Sequence, residues 1–218
     1  MQFEPSLTWP GVSSFVNQLT HDIRNDLNTL ELEFSLLAST LSDPKTAQSV
    51  ARLREHIRNS AAKLRELSVK LADLKPNRTP LLAKDLHLIW QEQGAALDCN
   101  VDWNWDEALG TIRINIDVAS VAKALNELLL NAKQFGDGSK LEGRARVAEG
   151  KVIFELCERK ATPVDPTEWG FSPFCSTKRG GYGLGLWESD RLVRANGGEI
   201  ERRLEDGKLI TRFKFVPE

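Results

Sequence analysis

The chain has 218 residues, enough for one large domain or two small ones. Its 41% hydrophobic and 28% charged residues suit an ordinary globular protein, and a net charge of −2 gives no electrostatic case for nucleic acid or a membrane surface. The sequence has no signal-peptide pattern and no apolar run of transmembrane length; Cys99, Cys157 and Cys175, odd in number and far apart, point to a reducing, cytoplasmic compartment rather than a disulfide framework or zinc site.

The first half reads as helix. Val16, Leu19, Ile23, Leu27, Leu30, Phe34, Leu37 and Leu41 recur by threes and fours, a seam for packing on other helices. Ser42-Asp43-Pro44 supplies a turn, a cap and a proline suited to opening the next helix. Val50, Leu53, Ile57, Leu64, Leu67, Leu71 and Leu74 form a second seam, which Pro76 closes. A lone hairpin of this length buries too little, so two hairpins from two chains are expected to make a four-helix bundle, a homodimer. The alternative is a hairpin folded back on the second half of its own chain.

The second half is mixed. Thr79-Pro80 is expected to start a helix containing Leu82, Leu86 and Ile89. Val101, Trp103 and Trp105 alternate as a strand does, and so do Ile112, Ile114 and Ile116. Asp117 is placed to cap a helix through Val121, Leu125 and Leu128. Residues 144–148 and 151–158 pattern as a hairpin around Glu149-Gly150, and 199–204 with 208–215 as another over Asp206-Gly207. Between them 184–196 reads as helix, stopped by Gly197-Gly198. Interleaved helices with antiparallel hairpins favour an α+β class over a doubly wound sheet. The boundary is placed between 76 and 77, with a helical hairpin in 1–76 and a mixed domain in 77–218.

Three stretches carry chemistry. In QLTHDIRNDLN, 18–28, His21 lies about 200° around the helix from Leu19, opposite the seam, and Asn25 shares its face one turn on. An exposed neutral imidazole is a competent nucleophile. The adjacent Asp22 can orient the ring or accept its proton, and the Asn25 amide can place a water or a substrate oxygen. The competing reading is a solvated helix histidine. In NELLLNAKQFG, 126–136, Glu127 and Asn131 stand four apart, a carboxylate and an amide able to hold Mg²⁺ along with waters and phosphates. Against that stands an ordinary amphipathic helix. In GFSPFCSTKRGGYGLGL, 170–186, Gly180, Gly181, Gly183 and Gly185 let backbone approach an anion at the start of the following helix. The plain alternative is a surface loop.

Taken together, His-Asp-Ile-Arg-Asn, NELLLNA and FSPFCSTK followed by GGYGLGL resemble, in order and spacing, the H-box, N-box, F-box and second glycine box of the histidine kinases of two-component signalling. The resemblance runs from about Val16 to Phe215. It implies a dimeric four-helix bundle followed by an α/β-sandwich ATP-binding domain. In that family His21 would accept the phosphoryl group, Asp22 would assist transfer, and Asn25 would place water for dephosphorylation of the partner. Asn131 would ligate Mg²⁺ and Glu127 would occupy the general-base position of related ATPases. Gly183 and Gly185 would line the triphosphate of ATP, with Gly181 and Leu184 beside them and Lys178 reaching a phosphate. The implied partner is the receiver domain of a response regulator.

The pattern breaks at the first glycine box. Alternation along Val152, Phe154 and Leu156 places Glu158 where the family has an aspartate that accepts from the adenine amino group, and no glycine follows until Gly170. Smaller departures are Asp26 for a frequent proline, Gln134 for a frequent basic residue, and Tyr182 for threonine or serine. The phosphate end is therefore expected to be kept and the adenine end altered. Losing one charged hydrogen bond there would weaken ATP binding roughly ten- to a hundredfold. The leading expectation is a soluble dimeric histidine kinase. The runner-up is a histidine phosphotransferase whose ATP domain no longer binds nucleotide, and the third is a catalytically silent regulatory dimer.

Overall fold

The computed structural model describes residues 9–40, 43–72, 74–160 and 183–218. The chain divides into two compact units, Met1–Asp73 and Leu74–Glu218.

The first unit is a helical hairpin of α1 (Trp9–Thr40) and α2 (Pro44–Leu71). Asp43 is the N-cap of α2, its carboxylate accepting from the Thr46 amide at 2.9 Å, and Pro44 takes the first helical position, where no N–H is needed. Glu31 joins the helices through Arg58 Nε at 2.7 Å, a half-exposed pair of small energetic weight. The hairpin buries its seam only in part. Leu19 is 45% exposed, Leu30 41%, Leu37 45% and Leu53 46%, whereas Val50 and Leu71 are buried, so part of the apolar stripe predicted from spacing remains uncovered. Leu41 and Ser42 lie outside the described residues. Helix α2 ends at Leu71, short of Pro76. Lys75, preceding a proline, is disfavoured in helix, and Leu74 leaves the α2 seam to pack against the core of the second unit.

The second unit starts with a correction. Thr79-Pro80 does not begin a helix; Thr79–Leu82 is strand β1, and helix α3 runs Ala83–Ala96. Pro80 biases Thr79 toward extended backbone, and β1 belongs to a two-stranded sheet, where a missing N–H costs little. Its partner is β3 (Arg113–Ile116), antiparallel, with Pro80 opposite Asn115. Strand β2 (Val101–Trp105) precedes β3 in the chain. Helix α4 (Val118–Phe135) is capped by Asp117, which accepts from the Ser120 amide at 3.1 Å. Strands β4 (Leu141–Ala148) and β5 (Lys151–Arg159) follow, then α5 (Gly185–Ala195), β6 (Glu199–Glu205) and β7 (Lys208–Phe215).

The main sheet has the order β2-β4-β5-β7-β6, antiparallel except for the parallel pair β2–β4. Both hairpins turn through two consecutive residues at positive φ, Glu149-Gly150 at 55° and 70° and Asp206-Gly207 at 48° and 75°, the backbone a two-residue turn needs to match strand twist. Helices α3, α4 and α5 supply Leu86, Trp90, Leu125, Leu129, Leu192 and Val193 to one core with Phe154, Phe213 and Phe215 from the sheet. The opposite sheet face carries charge. Glu155, 1% exposed, pairs with Arg212 and lies 3.4 Å from Arg144 and 3.7 Å from Arg146.

Candidate functional site

On α1, the His21 side chain is 55% exposed and both of its contacts are at Nδ1. Asp22 Oδ1 lies 3.4 Å away and Asn25 Nδ2 3.3 Å away. Gln18 Nε2 donates to the same Asp22 oxygen at 3.0 Å, which fixes the carboxylate beside the ring. Helical spacing produces this cluster: Gln18, Asp22 and His21, Asn25 are successive four-residue pairs on neighbouring strips of one helix. The two contacts demand opposite tautomers. With the proton on Nδ1 the ring donates to Asp22 and keeps the Nε2 lone pair; without it, Nδ1 accepts from Asn25. The Asp22 arrangement leaves Nε2 as the nucleophilic nitrogen. Gln18 stands outside the His21, Asp22 and Asn25 cluster expected from the sequence, and its position one turn before Asp22 is the signal that reveals it.

In the second unit, α4 presents Glu127 and Asn131 together. Asn131 Nδ2 donates to the Glu127 carbonyl at 2.9 Å and to Glu127 Oε1 at 3.2 Å. The amide oxygen of Asn131 is then the atom left for a cation. Helix α5 begins against the same carboxylate. Its N-cap, Leu184, makes no side-chain capping bond, and a Cβ built on Gly185 would overlap the Glu127 carboxyl group. Gly185 is thus required by the close approach of Glu127, and Gly183 holds φ at 61° just before it. Carboxylate, amide oxygen and an uncapped helix start within one corner make an oxygen-rich, anion-tolerant place suited to a hydrated Mg²⁺–phosphate group. Lys178 and Gly181 lie outside the described residues.

Glu158 is the penultimate residue of β5, on the helix side of the sheet, 6% exposed. Burial pushes its carboxyl above the ordinary range, opposed by Lys160, whose Nζ lies 2.8 Å from Oε2. Among the described residues no group of three His, Cys, Asp or Glu side chains could hold a metal ion, and no helix is long and apolar enough to cross a membrane.

No family model matches the chain. It is 23% identical over 221 residues to the alginate biosynthesis sensor protein KinB of Pseudomonas aeruginosa, covering 94% of this chain and 37% of that protein. It is 36% identical over 88 residues to the sensor protein TorS of Escherichia coli strain K12, covering 38% of this chain and 10% of TorS. The chain therefore spans only a minor part of either relative. Among solved structures, full-length ShkA in complex with AMPPNP superimposes with a TM-score of 0.63 at 21% identity, covering 94% of this chain and 46% of that one. The histidine kinase ThkA in complex with the response regulator TrrA gives 0.51 at 19% identity, covering 94% and 61%. The chain is similar in sequence to two-component sensor proteins and has the fold of histidine-kinase catalytic domains.

Proposed function

We infer that this relative of the two-component sensor histidine kinases is a dimeric phosphoryl-transfer protein in which His21 takes the γ-phosphoryl group of Mg-ATP and passes it to an aspartate of a response-regulator receiver domain. The observation that carries the reading is the seating of the His21 ring, exposed yet held at Nδ1 by Asp22. With Nδ1–H donating to the Asp22 carboxylate, the Nε2 lone pair attacks the γ-phosphorus, ADP leaves, and the positive charge developing on the ring is stabilised by that carboxylate. Asn25 is free to turn from the ring toward a water during dephosphorylation of the receiver. The uncovered seam of Leu19, Leu30 and Leu37 supports pairing of two hairpins into a four-helix bundle.

Mg-ATP, when bound, supplies the phosphoryl group and neutralises its charge. Asn131 through its amide oxygen and Glu127 through its carboxylate would hold the metal and orient waters, while the start of α5 at Leu184-Gly185 would face the phosphates. In this reading 1–76 is the dimerisation and phosphotransfer hairpin, and 77–218 the nucleotide domain.

A second reading, a histidine phosphotransferase relaying phosphate between receivers, is favoured by one observation. The carboxylate at the adenine position, Glu158, is already paired with Lys160. Labelling with γ-labelled ATP and Mg²⁺, followed by acid and alkali, separates the two. Alkali-stable, acid-labile label that disappears in His21→Ala is the expected result. A folded dimer that takes no label from ATP but accepts phosphate from a phosphorylated receiver is the phosphotransferase. Failure of both transfers refutes the role of His21.

A further inference from the structure

The Glu158–Lys160 pair has both side chains more than nine-tenths buried, at 7% and 5% exposure. The Lys160 backbone bridges Gly136, the C-cap of α4, and the Asp137 amide donates to the Arg159 carbonyl at 3.2 Å. The lysine is thereby tied to the end of the helix that carries Glu127 and Asn131. Burial disfavours an ionised Glu158, and the ammonium 2.8 Å from Oε2 opposes that cost. An ammonium donating to a carboxylate makes the same contact as the exocyclic amine of a nucleotide base. The two donors compete for one buried acceptor.

We propose that Lys160 is an internal occupant of the base-recognition corner, taking from Glu158 the acceptor that a purine amine would use and so removing base selectivity and affinity from this nucleotide site. The inference rests on the reading of 77–218 as a nucleotide domain. With Lys160 in place, Glu158 contributes nothing to base binding. With Lys160 replaced by an apolar residue, a Glu158 carboxyl oxygen is left open to accept from an amine-bearing base, a contact worth roughly ten- to a hundredfold in affinity.

The experiment is titration calorimetry of the full chain with Mg-ATP and with Mg-inosine triphosphate, which carries a carbonyl in place of the amine. Wild type is expected to bind both equally within about twofold, and Lys160→Met to bind ATP about tenfold tighter or more while leaving the inosine nucleotide unchanged. A wild type that prefers ATP by tenfold overturns the proposal, as does a folded Lys160→Met without gain. Where wild-type binding is too weak to give a ratio, Lys160→Met decides alone. Where Lys160→Met does not fold, the apolar double variant Glu158→Leu/Lys160→Leu takes its place, because a buried ion pair exchanged for apolar groups often keeps stability. It should bind ATP as wild type does, and a tenfold loss overturns the proposal. Phosphate transfer from a phosphorylated receiver to His21 is scored on the same preparations. Its absence refutes the phosphoryl-transfer reading, whereas the nucleotide ratio speaks only to Lys160.

Discussion

His87, on α3, should make the second unit acid-sensitive well above the pH at which carboxylates titrate. The side chain is 1% exposed, stacked on Trp105 at 6.1 Å between ring centroids and edge-on to Trp103 at 5.6 Å. Among the described residues neither ring nitrogen has a hydrogen-bond partner, and the Lys84 ammonium sits over Trp105 on the same aromatic group. Burial lowers the His87 pKa from 6.5 to about 4. The folded state therefore keeps the ring neutral, while the unfolded chain takes up a proton below pH 6.5. Stability is full at pH 7 and falls as pH drops from 6.5 toward 4, since the unfolded state binds more protons across that window. At pH 5 the loss is about 2 kcal/mol, at 1.36 kcal/mol per pH unit below 6.5. Urea unfolding followed by tryptophan fluorescence at pH 7 and pH 5 measures it. His87→Phe should be neutral or stabilising at pH 7, because two orphaned nitrogens become carbon, and should lack about 2 kcal/mol of the wild-type drop. A variant that loses as much stability on acidification as wild type would refute the reasoning.

Gly185→Ala should collide with the Glu127 carboxylate, cost about 1–3 kcal/mol in denaturant unfolding and suppress labelling from ATP, while phosphate transfer from a receiver to His21 persists. Leu30→Asp places a charge on the exposed part of the seam and should turn the proposed dimer into a monomer in light scattering, without loss of helical signal. Asn25→Ala should leave His21 labelling intact and slow release of phosphate from the receiver, read as the ratio of the two rates. Glu155→Gln removes the counter-charge of Arg212, Arg144 and Arg146, and its expected cost of about 3 kcal/mol is measured from the urea midpoint.

Much of the architecture was legible because it is written in local chemistry. Asp43-Pro44 and Asp117 announce helix starts through bonds to amides three residues on, and Glu149-Gly150 and Asp206-Gly207 announce turns by accepting positive φ. Seam spacing placed His21 on an exposed face, and one helical turn placed Asn25 beside it. Thr79-Pro80 misled because proline opens helices and edge strands alike, and only pairing with β3 chooses between them. Leu74 misled because its spacing fits α2, whereas a core distant in sequence claims it.

The sequence by itself determined which residues could do chemistry: a histidine with its acid and amide within one turn, and a glutamate and asparagine sharing a helix face. Those relations span four residues or fewer, within the reach of helix geometry. Tertiary structure alone decided what each group touches at long range. It set Glu127 of α4 against Gly185 of α5, and it locked Lys160 to the end of α4 so that its ammonium meets Glu158 out of water. It also enclosed His87 between two tryptophans, with no hydrogen-bond partner among the described residues. Burial and desolvation arise only when elements far apart in the chain close on one another, and so no local pattern could announce them.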